Sequence, residues 1–240
     1  MRKFAIPAAA LAATLSVAVV APSYAQAPEA VTTITSKPSV SPSKAGTKKK
    51  PRSVNLKINL NWKTSGPDGS NKPIVQKVVI DFPKGSLYLG GKYPSCTEAK
   101  LDEGLPAEVC KKAIVGKGTG NAWADTVKTK PKFTLVNGGA SKMFLYTELV
   151  NPAVVNAPVP GTVKKGGKYG GYRVTFVVPE ILQVVAGTPI SLIDLSVQTK
   201  AKNWLATTSC PKNKKWPYQV ISSQDTTPDA VFASTVKCTS

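Results

Sequence analysis

From residue 53 to 62 apolar and polar side chains alternate without a break. Val54, Leu56, Ile58, Leu60 and Trp62 fall on one side, and Asn55, Lys57, Asn59 and Asn61 on the other. A period of two over this length predicts a strand with one face buried and the other in water. It runs into Ser65-Gly66-Pro67-Asp68-Gly69, a turn in which proline presets one backbone angle and glycine permits the rest. A second strand is predicted over 74–82, stopped by Pro83, which cannot donate to a ladder. Between Cys96 and Cys110 the period changes: residues 97–103 are helix-tolerant, with acids early and Gly104 after them, and predict one short helix.

Strand character resumes over 113–127. Residues 133–137 and 143–149 then form a predicted hairpin around Asn137-Gly138-Gly139. The proline-rich stretch 152–160 reads as a crossing between sheets. Further strands are predicted over 172–178, 190–198, 217–222 and 231–238, with a small one at 31–36. About nine strands, spaced by turn signals, predict an all-β fold: one antiparallel β-sandwich, jelly-roll or immunoglobulin-like, over residues 31–240.

The first 25 residues belong to a different pattern. Arg2 and Lys3 precede an apolar run from 4 to 21, which leads to Ser23-Tyr24-Ala25. This order predicts a secretory signal peptide over 1–25, cut after Ala25, with 26–30 as a flexible mature N-terminus. No membrane span is expected in the mature form. The expected location is secreted, extracellular or cell-wall-associated.

Export changes the meaning of the cysteines. Cys96, Cys110, Cys210 and Cys238 are an even set in an exported chain, which predicts disulfides. Three connectivities are possible. Pairing Cys96 with Cys110 and Cys210 with Cys238 closes two short loops, adding about 3 and about 3.6 kcal/mol in the chain-entropy account. Zinc would require close ligand pairs or histidines, and the chain has neither, so no metal or cofactor is expected.

The formal charge is +19, which becomes +17 once Arg2 and Lys3 leave with the signal peptide. A field of that size favours anionic partners. The mature part holds only two arginines, Arg52 and Arg173, against twenty-eight lysines. Forked, bidentate reading of phosphate or guanine is therefore scarce, and no specific nucleic-acid partner is expected. The run Lys48-Lys49-Lys50-Pro51-Arg52 reads as a solvated connecting loop.

Catalytic chemistry is thin. The chain has no histidine, which removes the usual general base and every Ser-His or Cys-His arrangement. Asp102, Glu103 and Glu108 cluster inside the first cysteine loop and read as a solvated face. The segment Gly116-Lys117-Gly118-Thr119-Gly120 lacks the spacing of a phosphate loop and reads as a glycine-bearing strand with a bulge. No catalytic residue is assigned.

One binding constellation stands out. Lys164, Lys165, Lys168, Tyr169, Tyr172 and Arg173 lie among four glycines, as a basic loop with rings that could grip anionic polysaccharide. The plainer reading is a glycine-rich hairpin tip with Tyr172 packed inward. Trp204 and Trp216 could stack on sugars, although packing in a core is the commoner fate of Trp.

At Asp81-Phe82-Pro83-Lys84-Gly85, Tyr93-Pro94-Ser95-Cys96, Cys110-Lys111-Lys112, residues 114–120, and Thr208-Ser209-Cys210-Pro211 before Trp216-Pro217, the chain resembles uncharacterised secreted proteins of high-GC Gram-positive bacteria. The resemblance implies a β-sandwich outside the cell and transfers no site residue. The expected function is a non-enzymatic, envelope-associated protein whose lysine-rich surface binds anionic wall polymers or glycans. The alternative is a carbohydrate-active hydrolase on a sandwich scaffold, which would need two inward carboxylates facing one bond.

Overall fold

The computed structural model describes residues 30–65 and 72–240. The expected signal peptide, nearly all of segment 26–30 and the turn after Ser65 lie outside the described residues. In chain order the first strands are β1 (Val31–Ser36), β2 (Ser39–Ser41), β3 (Arg52–Ser53), β4 (Asn55–Ser65), β5 (Val75–Pro83), β6 (Ser86–Tyr88), β7 (Ile114–Ala124), β8 (Val127–Thr129) and β9 (Lys132–Asn137). They continue as β10 (Lys142–Leu149), β11 (Val155–Lys165), β12 (Gly170–Val177), β13 (Val184–Val185), β14 (Thr188–Thr199), β15 (Leu205–Thr207), β16 (Lys215–Gln224) and β17 (Ala230–Lys237). The helices are short: α1 (Glu98–Glu103), α2 (Pro106–Val109) and α3 (Glu180–Gln183).

The all-β, antiparallel class holds, but the nine-strand sandwich does not. One sheet collects fourteen strands, eleven of them in the order β1-β4-β14-β7-β9-β10-β11-β12-β5-β16-β17. Its two ends, β1 and β17, lie side by side, and Thr227 Oγ1 reaches Thr32 Oγ1 at 2.9 Å. The Tyr218 hydroxyl donates to the Ser36 carbonyl at 3.1 Å across the same seam. The sheet is therefore nearly a barrel.

Curvature comes from features that a hydrophobic period does not reveal. Register shifts interrupt the ladders at Ile114/Gly116, Leu192/Asp194, Gly170/Arg173 and Ser223/Gln224. Such irregularities bend and coil a strand. On β7 a Cβ at Gly118 or Gly120 would run into the carbonyls of Ser196 or Asp194, so these glycines permit the close approach of β14. The glycine-bearing strand predicted for 116–120 forms, but its bulge falls just before it, between Ile114 and Gly116. The strand predicted over 113–127 splits into β7 and β8 at Asp125, whose φ of 51° turns the chain.

Residues 152–160 are not a crossing between sheets. From Val155 onward they belong to β11, paired to β10 with Pro158 opposite Tyr146 and Pro160 opposite Phe144. The β12 ladder begins only at Gly161, so this part of β11 has one ladder partner and two prolines cost it little. Leu182 of α3 packs on Ala157 and Val159 there instead.

The helix expected in the first cysteine loop is α1, with Thr97 Oγ1 accepting from the Lys100 amide at 3.4 Å. α2 shares that loop and α3 lies elsewhere, so the single helix becomes three α-helices among the described residues, with short 3-10 turns at Gly90–Lys92 and Lys111–Ala113. Both disulfides pair as expected, Cys96 with Cys110 and Cys210 with Cys238, with Cα atoms 5.8 and 5.9 Å apart. Two closed disulfides are the chemistry of an oxidising, extracellular setting. The first loop packs Leu101 on Val136, Phe144 and Tyr146, covering the outer face of β9 and β10.

Candidate functional site

A small second sheet, β3-β15-β6, closes one end of the barrel. The loops at that end are knitted together by backbone hydrogen bonds: Gly46 to Thr207, Lys84 to Tyr169, Leu89 to Trp204 and Thr208 to Gly85. Beneath them sits a buried hub. Asn137 Oδ1 accepts from the Tyr88 hydroxyl at 2.9 Å and from Trp204 Nε1 at 3.0 Å, while its Nδ2 donates to the Gly90 and Pro94 carbonyls at 3.0 Å each. Burial pushes the Tyr88 phenol well above its ordinary range.

Charge is gathered on this end. The segments 37–53, 83–92, 138–142, 164–170 and 199–215 hold many lysines and not one Asp or Glu. Lys48, Lys49, Lys50, Lys84, Lys212 and Lys214 are all exposed. Asp81, at the end of β5 on this side, is 1% exposed and is met by both arms of Arg173, Nε at 2.7 Å and Nη2 at 2.8 Å. That guanidinium holds the Asp81 carboxyl below the usual carboxylate range.

The predicted binding set divides here. Lys164, Lys165 and Lys168 stand exposed at the tip between β11 and β12, where Gly166, Gly167 and Gly170 carry positive φ. Lys168 Nζ sits 5.8 Å from the Tyr169 ring and bonds Gln219 Oε1 at 2.6 Å. Tyr172 packs inward against Tyr88, ring centroids 6.3 Å apart, and Arg173 is committed to Asp81. Those two are therefore structural, because an aromatic ring beside a core and a cation beside a buried acid are drawn to them. Trp204 and Trp216 are likewise buried, at 1% and 3% exposure, and form no platform for sugars.

The barrel interior is the feature that sequence reasoning did not find. It encloses a cavity of about 260 Å³ whose wall is aliphatic and aromatic, relieved by a few Ser and Thr residues. Leu56, Ile58, Leu145, Phe176, Leu195 and Val197 point into it yet are only half-buried, as a wall facing unfilled space should be. Eleven strands enclose more than the eight whose side chains just fill a barrel. From β7 only Ala122 lines the cavity, while Gly116, Gly118 and Gly120 lie opposite Thr199, Val197 and Leu195 of its wall. Every second residue from 116 to 124 is Gly or Ala, and that lightweight face was the available signal.

No Asp or Glu lines the cavity among the described residues, so it offers no facing pair of carboxylates. Asp102, Glu103 and Glu108 are exposed on the outer helices. On β4 the Asn and Lys positions face outward, the reverse of a membrane-spanning barrel, and no described helix is long and apolar enough to cross a bilayer. No family model, curated protein or solved structure matches the chain.

Proposed function

We propose that this is a secreted, non-enzymatic protein of the cell envelope that holds anionic wall polymers or glycans against its lysine-covered closed end. The observation that carries this reading is the segregation of charge: five segments converge on one end with many cations and no acid. Lysines offer single, mobile point charges, suited to a long flexible polyanion contacted at many places. Such contacts strengthen together and are screened by salt. Arg52 is the one arginine on that end free of a carboxylate partner among the described residues, which fits adhesion better than geometric reading of a defined anion.

The test is retention of the purified protein on immobilised poly(glycerol phosphate) and on a uronic-acid polysaccharide, over 20 to 500 mM salt. Duplex DNA serves as the nonspecific comparison. Replacing Lys48, Lys49 and Lys50 by Glu should weaken retention at least tenfold, while replacing Lys128, Lys130 and Lys132 at the opposite end should leave it nearly unchanged. Absence of retention at the lowest salt, or equal loss from both triple variants, would remove this reading.

A further inference from the structure

We propose that the barrel lumen is a binding site for one medium-length aliphatic chain with a single polar end, such as the tail of a fatty acid or fatty alcohol. The cavity, about 260 Å³, exceeds the ~150 Å³ apolar cavity that stays dry and takes up benzene. An aliphatic wall without ionic groups excludes sugars and charged metabolites, whose polar atoms would be left unpaired inside. Two buried hydroxyls on the wall, Ser36 Oγ and Thr207 Oγ1, have no hydrogen-bond partner among the described residues, an arrangement that folded proteins rarely leave unmet. Ser36 ends β1 and Thr207 lies in the closing sheet, so both belong to the basic half of the barrel. The polar end of the ligand sits against them, and its chain runs toward the opposite end.

That opposite end suits an apolar visitor. The exposed large aliphatics cluster there: Val150 and Val154 between β10 and β11, Val177, Ile181 and Val184 around α3, and Val127 in β8. Four acids sit there too, Asp125, Glu148, Glu180 and Asp225, among Lys72, Lys77, Lys128, Lys130 and Lys132, so the charge is more balanced than on the closed end.

Decan-1-ol is the decisive probe because its neutral head is indifferent to the lysine surface. Calorimetry and native mass spectrometry of the disulfide-bonded protein should show one molecule bound, with affinity unchanged between 50 and 500 mM salt. Decanoate should bind at the same stoichiometry. V197F and I58F, which fill the cavity from two different strands, should weaken decanol at least tenfold while keeping the circular dichroism spectrum and the polymer retention of the parent. If one of them fails to fold, the other carries the comparison. S36A with T207V should weaken decanol several-fold without changing stoichiometry. No uptake of decanol up to its solubility limit, several equivalent molecules bound, or wild-type affinity in a folded filling variant would overturn the proposal. Polymer retention uses different residues, so either reading can fail alone.

Discussion

Asp81 keeps its charge out of water because Arg173 meets both of its oxygens and the Lys168 backbone N–H donates to it as well. Its folded pKa lies below the unfolded value of about 3.9, so the pair stabilises the protein above that pH. The contribution is lost as pH falls through the folded pKa. Urea melts between pH 3 and 7 should therefore show stability declining below about pH 4. Arg173→Ala should cost about 1–3 kcal/mol at pH 7. Because Arg173 is 43% exposed, the lower half of that range is expected. In that variant buried Asp81 keeps only the Lys168 backbone N–H, its pKa rises, and acidification to pH 5 should restore part of the loss. Asn137 poses a parallel case. Asn137→Ala strands the Trp204 donor and the Pro94 carbonyl, while the Tyr88 hydroxyl keeps the Gly139 and Lys142 carbonyls, and thermal melts should show a loss of about 2–4 kcal/mol.

Elements show where local pattern and tertiary demand part. β4 forms where strict alternation predicts it, because one lumen face and one water face reproduce the period of two. β9 and β10 read as near-continuous apolar runs for a different reason: the lumen covers one face and the first cysteine loop the other. Opening that loop should be visible. Cys96→Ser with Cys110→Ser should lower stability by about 3 kcal/mol and raise amide exchange over 133–146, leaving β16 and β17 protected. Exchange rising equally in all strands would show that the loop is instead integral to the whole barrel. On β7, Gly118→Ala should destabilise by about 1–3 kcal/mol, since a methyl there meets the Ser196 backbone, which cannot move aside without breaking the ladder.

At the scale of the molecule two properties are separated along one axis, a basic closed end and an apolar interior leading away from it. Their expected salt responses differ accordingly. Polymer retention should fall steeply with ionic strength, whereas decanol at a hundred times its Kd should add about 2.7 kcal/mol of stability at any salt. Thermal melts across a salt series measure both. Much of this was written locally. The Leu56-Ile58-Leu60 alternation, Thr97 before a helix and the short spans between cysteines act through neighbours in the chain, and their strand, cap and disulfides formed as read.

Closure was not local. Whether β1 meets β17 depends on twist summed over eleven strands and on bulges that place no hydrophobic signature in the sequence. The short strands β2, β3, β6, β8, β13 and β15 are too brief to show a period, which is why these six of the seventeen described strands went unread. Lys48, Lys84, Lys164 and Lys212 are far apart in the chain, so only the fold could reveal that they share one end. The cavity is likewise a property of assembled walls: a half-filled lumen and a packed sandwich core demand the same alternation from each strand. Composition and periodicity alone determined an all-β chain with two short disulfide loops and a large positive charge. Tertiary structure alone decided that the sheet curls nearly shut, that it stays hollow, and that its charge faces one way, because each of these is a sum over residues that the chain does not place side by side.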